Sequence, residues 1–321
     1  MSQAQIDPYD HLNIVLNTDG TCNRLFDVPS VAANPNPAQG EPAASKDVII
    51  SPVTDVTARI FRPTNLPSND NAIARLPIII HFHNSGGWTL YDATTAINHM
   101  TCAQTASELT VILVSVNYRL APENRLPAQF DDAIDAITWV KDQALAPDGE
   151  PWLKEYGDFS RCYLFGSSNG ANIAFNAALR TLDCDLNPMK ISGCIFYQPM
   201  FGGKNRTRNE IANINDPLMP LAVQDLLWEL ALPPGVDRDH RYCNPLIEGP
   251  HTKKMASLGR CLIVGYGGDS MVDRQQAFVK MLVALGVRVD ARFDDAGFHG
   301  IEAIDPRRAA RLLNLTREFI I

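Results

Sequence analysis

The chain has 321 residues, enough for one large α/β domain or two small ones with a buried core. Its hydrophobic content of 45% and charged content of 20% are ordinary for globular proteins and exclude disordered and collagen-like chains. The net charge of −8 argues against a nucleic-acid partner, and the lack of any apolar run near the ~18 residues of a spanning helix argues against a membrane protein.

The N-terminal sequence MSQAQIDPYDHLNIVL lacks the basic start and long apolar stretch of a signal peptide. The seven cysteines form no C-x-x-C pair, and Cys162, Cys194 and Cys261 lie in apolar stretches, where a thiol behaves as a small buried hydrophobe. Both features predict a cytoplasmic protein without a disulfide framework.

After a polar loop predicted at 32–46, short β-rich runs alternate with helical segments, and a second loop or hairpin is predicted at 66–72. The predicted strands are 47–51, 56–61, 76–83, 110–118, 161–166, 191–198, 260–266 and 287–293. The predicted helices are 94–109, 127–144, 169–182, 271–286 and 306–320.

Five of these strands are nearly continuous runs of Val, Ile, Leu or Phe, which is typical of parallel strands covered on both faces. The first two strands and the last alternate more, which favours a place at the sheet edge. The pattern predicts an α/β fold with a doubly wound, mostly parallel eight-stranded sheet flanked by helices.

One stretch interrupts the alternation, because no strand is predicted from 199 to about 250. Within it, the sequence VQDLLWELAL at 223–232 has an amphipathic helical pattern between prolines. Helices inserted there would form a lid over the carboxyl edge of the sheet, where open α/β sheets bind ligands.

The sequence Gly166-Ser167-Ser168-Asn169-Gly170 matches G-x-S-x-G between an apolar strand and a helix, which is the context of a nucleophile elbow. In so tight a turn, larger side chains at 166 and 170 would collide with neighbouring backbone. We therefore predict that Ser168 is a nucleophile held at the positive end of the following helix. A phosphate-binding loop or a plain turn is the alternative.

A serine hydroxyl needs a base, and in this architecture the acid and the base follow the nucleophile in that chain order. His299 lies in a Gly-flanked loop directly after the last predicted strand and is the candidate base. Asp269 follows the strand at 260–266 and is predicted to orient the imidazole, with Asp273 as the alternative.

The loop His83-Asn84-Ser85-Gly86-Gly87-Trp88 follows a buried strand and is expected to form an oxyanion hole together with the N–H of Asn169. Its glycines could instead merely permit positive φ. His81 and His83 have the i, i+2 spacing of a strand face, but no Asp, Glu or Cys nearby completes a ligand set. We therefore expect neither a metal nor another cofactor.

Several motifs together resemble those of plant carboxylesterases in the hormone-sensitive-lipase-like branch of the α/β-hydrolase superfamily, the branch that also holds the gibberellin receptors. They are VSVNYRLAPENRLPAQFDDA (114–133), EYGDFSRCYLFGSSNGAN (155–172), CNPL (243–246), GDSMVD (268–273) and GFHG (297–300). Carried over position by position, the family's catalytic triad falls on Ser168, Asp269 and His299. The resemblance also implies a single domain over 1–321, with a lid at about 1–45 and 199–245.

The family's oxyanion loop reads H-G-G-G, whereas this chain has H-N-S-G-G, one residue longer and with less flexible residues. Donors are expected from Ser85, Gly86 and Gly87, with Asn169. The change implies a weak general esterase or one reshaped for a particular substrate.

The resemblance implies a serine carboxylesterase that forms an acyl-enzyme from a short-acyl ester, with acetyl as one candidate, of a hydrophobic compound of plant specialised metabolism such as an alkaloid. The family also holds non-hydrolytic lyases and cyclases, and small-molecule receptors that lack the triad histidine present here. The expected partner is a small-molecule ester, with no nucleic acid or membrane, for a monomer or homodimer. Four apolar side chains either line the substrate pocket or belong to the core: Trp88, Phe201, Leu221 and Trp228.

Overall fold

The computed structural model describes residues 6–69 and 72–321, and an eight-stranded sheet lies at its centre. In chain order the strands are β1 (Ala43–Ser51), β2 (Val56–Pro63), β3 (Leu76–Phe82), β4 (Ile112–Asn117), β5 (Gly157–Ser167), β6 (Ile191–Tyr197), β7 (Cys261–Tyr266) and β8 (Val289–Asp294). Their spatial order is β8-β7-β6-β5-β3-β4-β2-β1, and β2 alone runs in the direction opposite to the other seven strands. The predicted mostly parallel eight-stranded sheet is confirmed.

Ten α-helices connect or flank these strands within the described part of the chain. They are α1 (Pro8–Leu12), α2 (Ala96–Leu109), α3 (Ala128–Leu145), α4 (Pro151–Tyr156), α5 (Asn169–Thr181), α6 (Arg208–Ala212), α7 (Leu221–Ala231), α8 (Pro250–Met255), α9 (Val272–Ala284) and α10 (Pro306–Ile320). The five helices predicted between strands and at the C-terminus agree within two residues at each end. The start of α10 is well specified, because Pro306 occupies its first position and Asp305 caps it.

The central strands of the sheet are buried on both faces, as their continuous apolar sequences indicate. Ile78 and Ile80 of β3 pack in one hydrophobic cluster with α3, α5 and α9, whereas Ile79 packs in a second cluster with α2 and α10. Successive residues of a strand point to opposite faces, so a strand between two helical layers must be apolar at every position. This arrangement leaves the carboxyl edge of the sheet for polar side chains.

The predicted strand at 56–61 is not an edge strand, because β2 lies one position inside β1. Its sequence alternates because it contains Arg59, yet this side chain is only 3% exposed. The Arg59 guanidinium donates to both carboxylate oxygens of Asp47 on β1 and to the carbonyl oxygen of Val31. The ion pair therefore allows a charged side chain to be buried in a strand inside the sheet.

Segments outside this sheet differ more from the prediction. The polar loop predicted at 32–46 is shorter, since β1 begins at Ala43. At the stretch predicted at 66–72, Ser68–Asn69 pairs antiparallel with Ala72–Ile73, and residues 70–71 lie outside the described part of the chain. The sequence did not predict α1 or the hairpin of Ile14–Leu16 with Cys22–Arg24.

The two segments predicted to form a lid lie close to one another. Helix α1 packs against α7, and the His11 Nε2 atom lies 3.3 Å from the carbonyl oxygen of Leu218. No strand occurs between 199 and 250, as expected. Their action as a lid stays a prediction. Within residues 6–69 and 72–321, no helix is both long and apolar enough to cross a membrane.

Candidate active site

Ser168 lies in a sharp turn between the end of β5 and the start of α5. Its backbone has φ of 56° and ψ of −122°, a conformation that residues other than glycine rarely adopt. A Cβ atom on Gly166 would lie 2.1 Å from the Gly170 carbonyl oxygen, and one on Gly170 would lie 2.0 Å from that of Phe82 on β3. Both positions therefore need glycine for the turn to close and to present the serine at the sheet edge.

The structure brings together the three side chains that the sequence singled out. The Nε2 atom of His299 lies 2.8 Å from Ser168 Oγ, and its Nδ1 atom lies 2.9 Å from Asp269 Oδ2. Asp269 follows β7 and His299 follows β8, so both lie at the same edge of the sheet as the serine. The side chains of the acid and the base are 0% and 5% exposed, which places the hydrogen bonds away from water.

The carboxylate of Asp269 is held ionised by its neighbours. Burial, the largest influence, acts to raise the pKa of this carboxyl, but the charge and hydrogen bond of His299 lower it, with further donors from Met271 N–H and the Gln275 amide. The net effect holds the pKa of Asp269 below its usual value. An ionised acid can accept the Nδ1 proton of the imidazole and orient the ring.

The surroundings of His299 increase the basicity of its imidazole. Burial acts to lower the pKa of His299, but the negative charge of Asp269 and its hydrogen bond outweigh this and raise the pKa above its usual value of 6.5. The proton on Nδ1 faces the carboxylate, which leaves Nε2 to accept the hydroxyl proton of Ser168.

The alternative residues contact other partners. Asp273 accepts a hydrogen bond of 2.8 Å from the N–H of Asn209 and does not reach His299. The two other histidines that follow the serine also lie elsewhere: the His251 Nε2 atom is 3.2 Å from Pro245 O, and His240 packs against Tyr242.

The loop predicted to hold the oxyanion adopts a tight left-handed course, with φ of 62° at Gly86, 67° at Gly87 and 83° at Trp88. Two of the expected donors already have acceptors within the protein. The N–H of Ser85 donates to Asn169 Oδ1 at 3.1 Å, and the N–H of Gly86 donates to Asn84 Oδ1 at 2.8 Å. Within the described residues, the N–H groups of Gly87 and Asn169 have no acceptor.

The side chain of Asn169 has a structural role that the sequence analysis missed. Besides accepting from Ser85 N–H, it donates through Nδ2 to Ser85 Oγ at 2.8 Å and to Tyr118 Oη at 3.0 Å. Tyr118 in turn donates to the carbonyl oxygen of His83 at 2.6 Å. An amide at the position after the nucleophile was the available signal, because that side chain must face the loop beside the elbow.

Two further amides, Gln198 and Gln275, also escaped the sequence analysis. Both Nε2 atoms donate to Asp269 Oδ2, at 3.2 Å and 2.8 Å respectively. Gln198 is the first residue after β6, the strand between those that lead to Ser168 and Asp269. A polar residue at that strand end was the signal that could have identified it.

The structure places the four candidate substrate-binding side chains in the core. The Trp88 ring centroid is 5.6 Å from that of Trp228, and the Phe201 centroid is 4.8 Å from that of Phe278. Leu221 at the start of α7 is also buried. This arrangement corresponds to the core-packing alternative, so a role of these residues in substrate binding stays a prediction.

The two strand histidines do not form a pair for a metal. His81 lies near Ser115 and Cys102, and burial lowers its pKa to about 3, whereas the His83 ring stacks on Tyr118. Among the residues that the structure describes, no group of three or more His, Cys, Asp or Glu side chains could hold a metal ion.

Comparison with known proteins agrees with the geometry of the site, because the matches are to hydrolases. Residues 79–303 match the family described as alpha/beta hydrolase fold. Probable carboxylesterase 9 of Arabidopsis thaliana is 64% identical over 320 residues, covering 99% of this chain and 98% of the relative. A 3-O-acetylpapaveroxine carboxylesterase of Papaver somniferum is 44% identical over 323 residues, covering 98% and 99%. The crystal structure of esterase LipW from Mycobacterium marinum shares the fold, with a TM-score of 0.72, 24% identity and coverage of 88% and 82%.

Proposed function

Because this chain belongs to the α/β-hydrolase family, among its plant carboxylesterases, and is a carboxylic ester hydrolase, we propose that it hydrolyses a short-acyl ester through an acyl-enzyme on Ser168. The observation that carries the proposal is the hydrogen-bonded series from Ser168 Oγ through His299 to Asp269. Such a series makes a weak hydroxyl nucleophilic.

In the first half of the reaction, Ser168 Oγ attacks the ester carbonyl while His299 Nε2 takes the hydroxyl proton. The imidazolium that forms is stabilised by the ionised Asp269. It then gives its proton to the departing alcohol as the tetrahedral intermediate collapses. The acyl group is left on the serine.

In the second half, a water molecule replaces the alcohol. His299 takes a proton from that water, which attacks the acyl carbonyl, and returns a proton to Ser168 Oγ as the acid leaves. Ester and water are consumed, and acid and alcohol are released, so the enzyme returns to its starting protonation state.

We assign the oxyanion hole to the N–H groups of Gly87 and Asn169. Support comes from the hydrogen bonds of Ser85 and Gly86, whose N–H groups are occupied by Asn169 Oδ1 and Asn84 Oδ1. A donor that is free in the ground state can bind developing negative charge without first losing a partner. Loss of one such donor typically lowers kcat by about 10²–10³.

The proposed substrate is an acetyl or similarly short ester of a hydrophobic plant natural product. Ser168 is 2% exposed, which favours a small acyl group at the reacting carbon. The Papaver relative is named for an O-acetylated compound, and that name supports acetyl as the acyl group. Segments 1–45 and 199–245 would act as the lid, since the Leu227 side chain of α7 lies against Gly87.

The test uses the full chain, p-nitrophenyl acetate and an active-site phosphonate. We expect turnover of the ester and a single phosphonate adduct on Ser168, with both lost in Ser168→Ala and the adduct retained in the neighbouring Ser167→Ala. Turnover and labelling that persist in Ser168→Ala would contradict the proposed nucleophile.

A second measurement separates hydrolysis from elimination and from a receptor role. With an acetylated natural product in H₂¹⁸O, hydrolysis through an acyl-enzyme places one ¹⁸O atom in the released acetate. Elimination would release acetate with only its own two oxygens, and a receptor would release none. Unlabelled acetate or no acetate would therefore overturn the proposal.

A further inference from the structure

Gln198 is placed between the strands that position the nucleophile and the acid. It directly follows β6, which lies between β5 and β7, and its backbone N–H donates to Val264 O on β7 at 2.8 Å. Its side chain is buried, with 1% of the residue exposed, and its φ of 43° is unfavourable for a residue other than glycine. A buried polar residue held in this conformation indicates a specific requirement at the position.

The side-chain amide of Gln198 spans the acid and both neighbours of the base. Its Nε2 atom donates to Asp269 Oδ2 at 3.2 Å and to Phe298 O at 3.0 Å, while its Oε1 atom accepts from Gly300 N–H at 2.9 Å. Only this orientation of the amide matches its hydrogen-bond partners. A flipped amide would place its oxygen beside two acceptor oxygens and its NH₂ group beside the donor N–H of Gly300.

The loop that carries His299 lies between β8 and α10. It is flanked by Gly297 and Gly300, whose φ values of 133° and 74° lie in the region that favours glycine. Gln198 bonds the residue before the histidine and the residue after it, and so fixes the ring relative to Asp269. Displacement of a catalytic group by about 1 Å can cost roughly 10²-fold in rate.

We propose that Gln198 is a positioning residue, whose amide locks the acid loop to the base loop so that His299 stays aligned between Asp269 and Ser168. This inference rests on the proposed function, because alignment matters only if these three side chains perform the reaction. Gln198 acts through the imidazole and the carboxylate rather than on the substrate.

Gln275 supplies a matched control within the same site. Its Nε2 atom donates to the same Asp269 Oδ2 atom at 2.8 Å, and its residue is fully buried on α9. Among the hydrogen bonds of the described chain, Gln275 makes none to the 298–300 loop, and its Oε1 atom has no partner. Gln198→Met and Gln275→Met therefore each remove one donor to the same carboxylate oxygen of Asp269, but only Gln198→Met also removes the hydrogen bonds to the loop that carries His299.

The experiment compares kcat, KM and the rate of phosphonate labelling for the full chain and the two methionine variants, with p-nitrophenyl acetate as substrate. We expect Gln198→Met to lower kcat and labelling by roughly 10- to 100-fold with KM nearly unchanged. We expect a clearly smaller loss of kcat in Gln275→Met. The downfield proton resonance of the His299–Asp269 hydrogen bond should broaden or move in Gln198→Met and persist in Gln275→Met.

Equal losses of kcat in the two variants would overturn the inference, because they would show that Gln198 acts only as a second hydrogen-bond donor to Asp269. Wild-type kcat with an unmoved resonance in Gln198→Met would overturn it as well. If Gln198→Met does not fold, Gln198→Asn carries the same expectation, since it keeps the amide but shortens its reach. A wild-type chain that neither turns over the ester nor takes the phosphonate would instead reject the proposed function itself.

Discussion

Asn169 and Ser85 exchange two hydrogen bonds across the gap between the nucleophile elbow and the oxyanion loop. Ser85 N–H donates to Asn169 Oδ1 at 3.1 Å, and Asn169 Nδ2 donates to Ser85 Oγ at 2.8 Å. Both residues are fully buried, so neither bond competes with water. The longer H-N-S-G-G loop is thereby tied to the residue that follows the nucleophile.

This tie predicts that Asn169→Ala lowers kcat by roughly 10-fold or more, because the loop that carries Gly87 loses its support and a buried N–H loses its acceptor. Ser85→Ala should also lower kcat, and the double variant should lose less than the product of the two single losses. The measurement is kcat with p-nitrophenyl acetate, together with the affinity for a trifluoromethyl ketone that forms a tetrahedral adduct.

Asn176→Ala is the control for that cycle, since it removes another buried asparagine from α5, one whose amide bonds only to Asn172 in the described chain. It is expected to affect stability but not the affinity for the ketone. Strictly multiplicative losses in the Ser85 and Asn169 variants would show that the two residues act independently and would contradict the tie.

The charge of Asp269 predicts the pH dependence of the reaction. Burial acts to lower the pKa of His299, but Asp269 outweighs it and raises the pKa above 6.5. The base must be neutral, so kcat/KM should fall as the pH decreases through this raised pKa, with half of the maximum reached above pH 6.5. Asp269→Asn removes the attraction, so its acid limb should move to lower pH while kcat drops by about 10⁴-fold.

The profile is measured as kcat/KM, or as the phosphonate labelling rate where turnover is too slow. Asp273→Asn is the control, because its carboxylate bonds Asn209 N–H rather than the imidazole, and it should leave the acid limb in place. If the acid limb of the profile moved in Asp273→Asn and not in Asp269→Asn, the assignment of Asp269 as the acid would be wrong.

Because the turn around Ser168 is so tight, adding one methyl group at Gly166 should strongly reduce both stability and phosphonate labelling. Gly166→Ala places a Cβ atom 2.1 Å from backbone oxygen, which the turn can relieve only by opening. We expect a loss of about 1–3 kcal/mol or more in the free energy of unfolding and loss of phosphonate labelling. In Gly259→Ala the new methyl meets no atom within 4 Å, so stability and labelling should be preserved. Urea unfolding and labelling of both variants provide the comparison, and a labelled, stable Gly166→Ala would refute the steric argument.

The features that sequence analysis recovered are those written in local pattern. Continuous apolar runs specified the central strands, and G-x-S-x-G between a strand and a helix located Ser168. Chain order and strand ends then located Asp269 and His299, because carboxyl ends of parallel strands meet at one edge of the sheet.

The features that it missed depend on partners distant in the chain. The strand that carries Arg59 was predicted at the sheet edge because nothing local reveals that Asp47 pairs with this arginine from the neighbouring strand. Gln198 bonds residues 71 and 102 positions away, and Asn169 bonds a loop 84 positions away. Local pattern specifies which elements form, whereas these contacts exist only after the elements have packed.

A buried ion pair anchors the 199–245 segment to the body of the fold. Arg274 on α9 meets Glu210 on α6 at 2.5 Å and 3.0 Å, and the two side chains are 7% and 2% exposed. Glu210→Ala would leave a buried guanidinium without its counter-charge, which is expected to cost about 3–5 kcal/mol in the free energy of unfolding. The double variant Glu210→Leu with Arg274→Met should cost less, because no charge then stays buried and unpaired.

Urea unfolding of these variants is compared with Asp290→Ala, which breaks the exposed Arg292–Asp290 pair and is expected to change stability little because solvent already screens that pair. If Glu210→Ala were no more destabilising than Asp290→Ala, the buried pair would not anchor the segment.

Ester turnover supplies the functional readout. Because Arg274 also donates to Gly202 O at 2.9 Å, releasing it frees the chain just after Met200, whose N–H bonds the Ser168 carbonyl. Loss of the anchor should therefore lower turnover even at temperatures where the variant remains folded.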